Sequence, residues 1–514
     1  MSKITAKNLL LNNKKTRLAL TSITPTANRS STLRETLVIT GISSAIFLWA
    51  LGYKLNCFQE LAYTSDLFQF SQLATSWLDG RFLHDNCYGN HLSIHTYLLS
   101  PALSVFVLPF GPSGLLVALA LAMASAFMAF TKILRLYNIP LRESCIASSI
   151  IVLMPFSVHV YQDTLYGFHI ELLMPAVGLW LAYFLLQRHW AGTFACALTL
   201  LFMKEEAPIL AAAIASAIIF EDRVRTTSGS VNNTSNNKLA LINRQALAVL
   251  GAALISLPVF VYILQSQPVT GYSPGSFKRI IFNSNSNVSN FSTLVEYICL
   301  NFTDWIRSEQ IQQWLGAGLS ITFGTILFRF HFFVLGLGIT VVAWLMQDDL
   351  MWAPRFAPSL AFFQLAAAIC LASVYNFISP RISIVPQKKL YFLFGSIFFI
   401  AATVIFWQYS KVPRSAEFYR LQSGSEITFS ERKQADALYQ IYKKERLPGE
   451  PTIASTFLFK YVAYQDLFWE VRLDGRPKPT WVLLDQGKGN TAVANYWDYK
   501  LLAQDGRFAL FKKP

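Results

Sequence analysis

The chain has 514 residues, and 43 Lys and Arg against 29 Asp and Glu give a formal charge of +14, yet only 14% of its residues are charged. Soluble proteins carry roughly 25%. With 53% hydrophobic and 14% aromatic residues, it holds more apolar side chain than one water-soluble core buries and too much for a disordered chain, so both classes are excluded.

Residues 1–35 form a basic head, with Lys3, Lys7, Lys14, Lys15, Arg17, Arg29 and Arg34 and no acid before Glu35. It is too long and polar for a simple cleavable signal and lacks the interleaved aromatics of a nucleic-acid arm, so it reads as a cytoplasmic segment that also attracts anionic lipid. Apolar runs of spanning length then recur through residues 36–408: 36–53, 114–131, 145–161, 171–187, 191–203, 207–220, 246–264, 313–329, 331–346, 358–377 and 390–408. The runs 191–203 and 207–220 are short. They suit two half-helices or one hairpin broken at Lys204-Glu205-Glu206. The run from His91 to Phe110 contains two histidines, Pro101 and Pro109, and is expected to be a helix lying along the interface.

Lys and Arg concentrate on alternate joints, among them Lys132, Arg135, Arg142, Arg188, Arg223, Arg225, Lys238 and Arg244. Positive charge is retained in the cytoplasm, which predicts an odd number of spans, an inner amino terminus and an outer carboxy tail. The outer side then presents loops 54–113 and 265–312 and the segment 409–514. That last segment changes composition and reads as a small α/β domain, with a helix over Ser430–Arg446, strands at Thr452–Ser455, Trp481–Leu484 and Phe508–Phe511, and a helical pattern around Ala492–Ala503. The six cysteines form no CxxC pair and read as small core residues, although Cys57 and Cys87 share one polar segment.

Polar chemistry concentrates in the first outer loop and at two other outer joints. Asp66 opens an apolar-periodic segment, where a first-turn acid gains from the helix dipole whether or not it has another role. His91 and His95 stand four apart, as metal ligands do on a helix, but also as a simple hydrogen-bonding edge does. His169 and Glu171 occupy the joint Tyr166-Gly-Phe-His-Ile-Glu171, and Lys204-Glu205-Glu206 another. Ionisable groups near membrane depth need partners. Lys204 therefore either pairs within its own turn, or all these groups converge on one outer pocket.

The series Thr64-Ser-Asp66-Leu, Gly80-Arg, Asn90-His91-Leu-Ser, Gly167-Phe-His169 and Lys204-Glu205-Glu206-Ala resembles, in order and spacing, the bacterial membrane-protein family named domain of unknown function 2079. The resemblance extends over about residues 55–514. Ser71 and Asn90 stand where the family pattern has acids, a departure that bears on any mechanism needing a second carboxylate near Asp66 or at position 90; His95 has no counterpart in the pattern. The family is similar in layout to the GT-C glycosyltransferases, which transfer sugars from polyprenyl-phosphate carriers.

The resemblance implies an α-helical polytopic membrane protein of about 11 spans, GT-C-like, with a small C-terminal α/β extracytoplasmic domain, in a bacterial inner membrane. It implies an inverting transferase that moves a sugar from a polyprenyl phosphate to an acceptor at the outer face. Asp66 would be the general base, or a ligand of a divalent cation should one be used. Lys204 would stabilise the leaving phosphate with Arg355 as a second cation. His91 and His169 would bind phosphate or sugar, and Glu205 would hold Lys204. Two other classes compete: a transporter or flippase, which favours internal repeats and mid-span ionisable groups, and a non-catalytic assembly protein. No repeat is evident and the acids lie at span ends, which favours the transferase.

Overall fold

The computed structural model describes residues 33–59, 63, 66–85, 89–163, 166–228, 243–266, 331, 335–336, 353–378, 429–447, 450, 452–454, 467–468, 479–485 and 498–514. The predicted spans 313–329 and 390–408, nearly all of 331–346, the basic head up to residue 32 and almost all of loop 265–312 lie outside them. Among the described residues, four helical stretches are long and apolar enough to cross a membrane: Leu33–Gln59, Ser113–Leu136, Ile170–Gln187 and Ala357–Asn376.

Helix α1 (Leu33–Gln59) precedes a short α2 (Asp66–Thr75). A two-stranded ribbon follows, β1 (His84–Asp85) with β2 (Gly89–Asn90), and then α3 (Ser104–Phe110) and α4 (Ser113–Leu136). Next come α5 (Leu141–Leu153), α6 (Pro155–Gln162), α7 (Met174–Gln187), α8 (Trp190–Leu201), α9 (Ala207–Ser228), α10 (Arg244–Ser266) and α11 (Ala353–Ile378). Helix α4 is the core element, with Leu119, Met123, Phe127 and Phe130 fully buried, whereas α1 leaves Leu33, Leu37, Leu48 and Trp49 exposed. An apolar helix that exposes such residues suits a lipid-facing position.

Long-range polar contacts sort the helix ends into two groups. At one end, Glu35 near the start of α1 meets Arg135 at the end of α4 at 2.8 Å, Tyr137 donates to Glu221 of α9, and Arg188 after α7 lies 3.6 Å from Asp222. At the other end, Lys54 near the end of α1 reaches the carbonyl of Gln162 at the end of α6, and Glu171 ahead of α7 meets Lys204 between α8 and α9. Every polar group the outer-site expectation singled out, with a described side chain, lies at this second end.

Two expectations need correction here. The run 145–161 is two helices, because Pro155 lacks an N–H and forces Met154 into an extended conformation, so α5 stops and α6 starts with proline in its first turn. The stretch from His91 to Phe110 is not one helix. It comprises a 3-10 turn at His91–Ser93, another at Ser100–Leu103 and α3. The Asn90 side chain accepts from the Leu92 N–H, the Thr96 N–H goes to the Glu205 carboxylate, and the Leu99 N–H goes to the Phe202 carbonyl. Donors that a helix would use internally are thus spent on the turn joining α8 and α9.

Toward the end of the chain, α12 (Phe429–Glu445) packs on a five-stranded sheet of β3 (Thr452–Ala454), β4 (Leu467–Phe468), β5 (Trp481–Asp485), β6 (Lys500–Asp505) and β7 (Phe508–Lys512), in the order β4-β3-β5-β7-β6. Strand β3 pairs in parallel with β4 and β5, while β7 runs antiparallel to β5 and β6. The helix expected to reach Ala503 gives way to β6 from Lys500. Gly506, at φ +58°, turns β6 into β7, a conformation glycine adopts without strain. Among the described residues, Cys145 and Cys196 are free thiols. Cys87 lies outside the described residues.

Candidate functional site

Asp66 stands in the first turn of α2, whose buried face includes Leu67, Phe70, Leu73 and Ala74. Packing of that face fixes the carboxylate at the helix start. Its Oδ2 lies 3.1 Å from Nε2 of His169, and the other ring nitrogen of His169 faces Oδ2 of Asp163 at 3.5 Å. His169 sits on extended backbone just before the 3-10 turn Ile170–Leu173, and the rings of Phe70 and Tyr166 meet it edge-on. The result is a carboxylate–imidazole–carboxylate chain. Its Asp163 end is 3% exposed and its Asp66 end 23%, so Asp66 is the more open end. Burial alone would depress the imidazole, but the carboxylates of Asp163 and Asp66 outweigh it and hold His169 as an imidazolium with a pKa of about 10.

A second chain runs beside the first. Lys204 Nζ lies 2.8 Å from Glu171 and 3.3 Å from Glu206, with all three side chains buried, and the Tyr97 hydroxyl donates to Glu171 at 3.0 Å. Burial opposes the charge on Lys204, yet Glu171, Glu206 and Glu205 outweigh it and push its pKa up; burial pushes Glu206 up against the pull of Lys204. Burial, reinforced by Glu171, also raises Tyr97, which stays a donor.

The expectation that Glu205 holds Lys204 needs correction. Glu171 and Glu206 make the direct contacts. Glu205 instead meets His95 Nδ1 at 2.7 Å and accepts from the Thr96 N–H, and His95, which has no counterpart in the family pattern, thereby enters the network. Burial would raise Glu205, but His95 overrides it and brings the carboxyl down to about 2.

His91 is anchored by Asp85, 2.7 Å from Nδ1, and stacks on Tyr97 with centroids 5.3 Å apart. Tyr97 also contacts the rings of His95 and Phe70, and Phe70 contacts His169. Asp66, His91, His169 and Lys204 are therefore joined through one aromatic and carboxylate cluster. Arg355 lies in the first turn of α11, and its side chain is outside the described residues.

Sequence reasoning missed Asp163, Tyr97 and Lys54. Asp163 restores a second carboxylate near Asp66 from a distant joint, and nothing local marks it. Lys54 carried a signal, a charge directly at the end of the apolar run 36–53. Among the described residues, no three His, Cys, Asp or Glu side chains are placed to hold a metal ion, and both ring nitrogens of His169 already face carboxylates. These residues do not fit a divalent cation.

The family model described as "Predicted membrane protein (DUF2079)" matches residues 58–444. The chain belongs to that family and is membrane-embedded, as the motif resemblance implied. No curated protein matches the sequence. Among solved structures, the crystal structure of ArnT from Cupriavidus metallidurans bound to undecaprenyl phosphate matches with a TM-score of 0.45 at 10% identity, covering 93% of this chain and 97% of that chain. A likeness at that score carries no argument about this chain.

Proposed function

We propose that this family member is a GT-C-like glycosyltransferase of a bacterial inner membrane, moving a sugar from a polyprenyl-phosphate carrier to an acceptor at the outer face. The polar end that holds Asp66 and Lys204 then faces outward, the basic head lies in the cytoplasm, and residues 409–514 form an extracytoplasmic domain. In the reaction Asp66 takes the proton of an acceptor hydroxyl as its oxygen bonds to the anomeric carbon. The bond from that carbon to the phosphate oxygen breaks, and polyprenyl phosphate leaves with the electron pair. A positioned carboxylate in this role contributes about 100-fold to 10,000-fold. His169, bridging Asp66 and Asp163, orients it. Lys204, held by Glu171, supplies the cation near the leaving phosphate, and His91, fixed by Asp85, binds sugar or phosphate.

The observation carrying this reading is the chain Asp66–His169–Asp163 with Asp66 as its more open end. The test uses the full-length protein in lipid nanodiscs with radiolabelled polyprenyl-phosphate pentose and hexose donors and a bacterial cell-envelope extract as the source of acceptor hydroxyls, measuring released polyprenyl phosphate. Asp66→Asn is expected to lose about 100-fold or more of the rate with donor binding retained. Wild-type release from that variant overturns the role of Asp66, and no release from the unmodified protein with any donor moves the transport reading ahead.

A further inference from the structure

Lys54 is a buried basic side chain that the proposed chemistry does not use. It lies near the end of α1 and is 1% exposed. Its Nζ donates to the Gln162 carbonyl at 2.6 Å and to the Gly167 carbonyl at 3.2 Å. These acceptors bracket the turn that carries Asp163 and leads within two residues to His169. The Gly167 N–H bonds back to the Asp163 carbonyl at 2.9 Å, so this bond and Lys54 tie the described ends, Gln162–Asp163 and Gly167, to each other. Tyr63 packs over the same place. Its ring faces Lys54 at 5.9 Å, and its hydroxyl donates to the Lys54 carbonyl. Gly167 has φ +77°, and a Cβ there would meet the Tyr63 ring at 2.7 Å, so the same ring that faces Lys54 also packs closely on Gly167. A buried amine in an apolar setting needs such partners, and two backbone carbonyls fix its direction.

We propose that Lys54 is a positioning residue of the candidate site, one that fixes the Gln162–Gly167 turn from α1 and so sets His169 against Asp66. Its place in catalysis rests on the transferase reading, but its action on His169 does not. The groups facing His169 are Asp66 from α2, Asp163 and Tyr166 from the turn, and Glu171 from its own 3-10 turn.

The experiment follows the His169 imidazole by NMR in full-length, histidine-labelled protein in nanodiscs, using His169→Gln to assign the signal. Two outcomes have opposite sign. If Lys54 acts as a tether, Lys54→Met frees the turn, His169 loses its carboxylates, and its midpoint falls from about 10 toward the ordinary value of about 6.5. If Lys54 does not hold the turn, its removal leaves the midpoint where it was or raises it, which overturns the proposal. Lys54→Gln, a neutral donor of similar length, is expected to give a smaller fall. It decides the matter alone if the methionine variant does not fold, with an unchanged or raised midpoint again overturning the proposal. Because the readout is a titration, a protein that transfers no sugar still answers the question.

Discussion

Replacing Lys204 by Met keeps the stem and removes the charge. Glu171 and Glu206, now 2% and 8% exposed around one ammonium, would be left as two buried carboxylates with no cation between them. Removing one partner of a buried pair costs about 3–5 kcal/mol, mostly because the other charge is left uncompensated. Two carboxylates on a single Nζ place this site toward the upper end, relieved in part by protonation of Glu206, whose pKa burial already raises. Reversible unfolding of the full-length protein in SDS-containing bicelles measures the loss. The double variant Lys204→Met/Glu171→Gln should recover part of it, because the second change removes one of the orphaned charges. A loss under about 1 kcal/mol, the range of exposed pairs, would refute the buried-pair reasoning and leave Lys204 as a flexible, hydrated cation.

Stability should also depend on pH through two of these groups. His169 has a folded value of about 10, above its ordinary value of about 6.5. Its contribution is complete below about 6.5 and lost as pH rises through 10, so the melting temperature should fall over that window and His169→Gln should flatten the fall. Glu205 is the opposite case, held at about 2 against an ordinary value of about 4.3. Its contribution is present above about 4.3 and lost as pH drops toward 2; Glu205→Gln should lower the melting temperature at pH 7 and matter progressively less in acid. Gly114→Ala should destabilise by at least about 1–3 kcal/mol, since the new Cβ would lie 2.0 Å from the Phe106 backbone oxygen and must push α3 off α4; a wild-type melting temperature would refute it.

Long apolar runs announce α1, α4, α7 and α11 because a lipid-facing or core helix must be continuously apolar. The gathering of Asp66, His169 and Lys204 was also readable, since charges at span ends need partners and the partners are themselves charged. What the partners would be was less readable. Glu205 adjoins Lys204 in the chain, yet adjacency does not decide which carboxylate an ammonium meets, and the Thr96 N–H and His95 claim Glu205 first. Hydropathy likewise made one helix of His91–Phe110, because it counts apolar side chains and ignores where backbone donors go. In residues 498–505, apolar spacing alone did not distinguish a helix from β6, whose pairing with β7 is a tertiary fact. Asp163 is invisible locally because its role exists only once the turn after α6 folds beside α2.

The grip of Lys54 on Gln162 and Gly167 has a consequence for biogenesis. Helix α1 is synthesised first, but the carbonyls that receive its amine lie 108 and 113 residues later in the chain. Until α6 is made, this end of α1 has none of these acceptors, and water is the natural partner of its amine. The seat of Lys54 is therefore completed only after the turn has been translated, so this end of α1 reaches its final contacts later than its own synthesis.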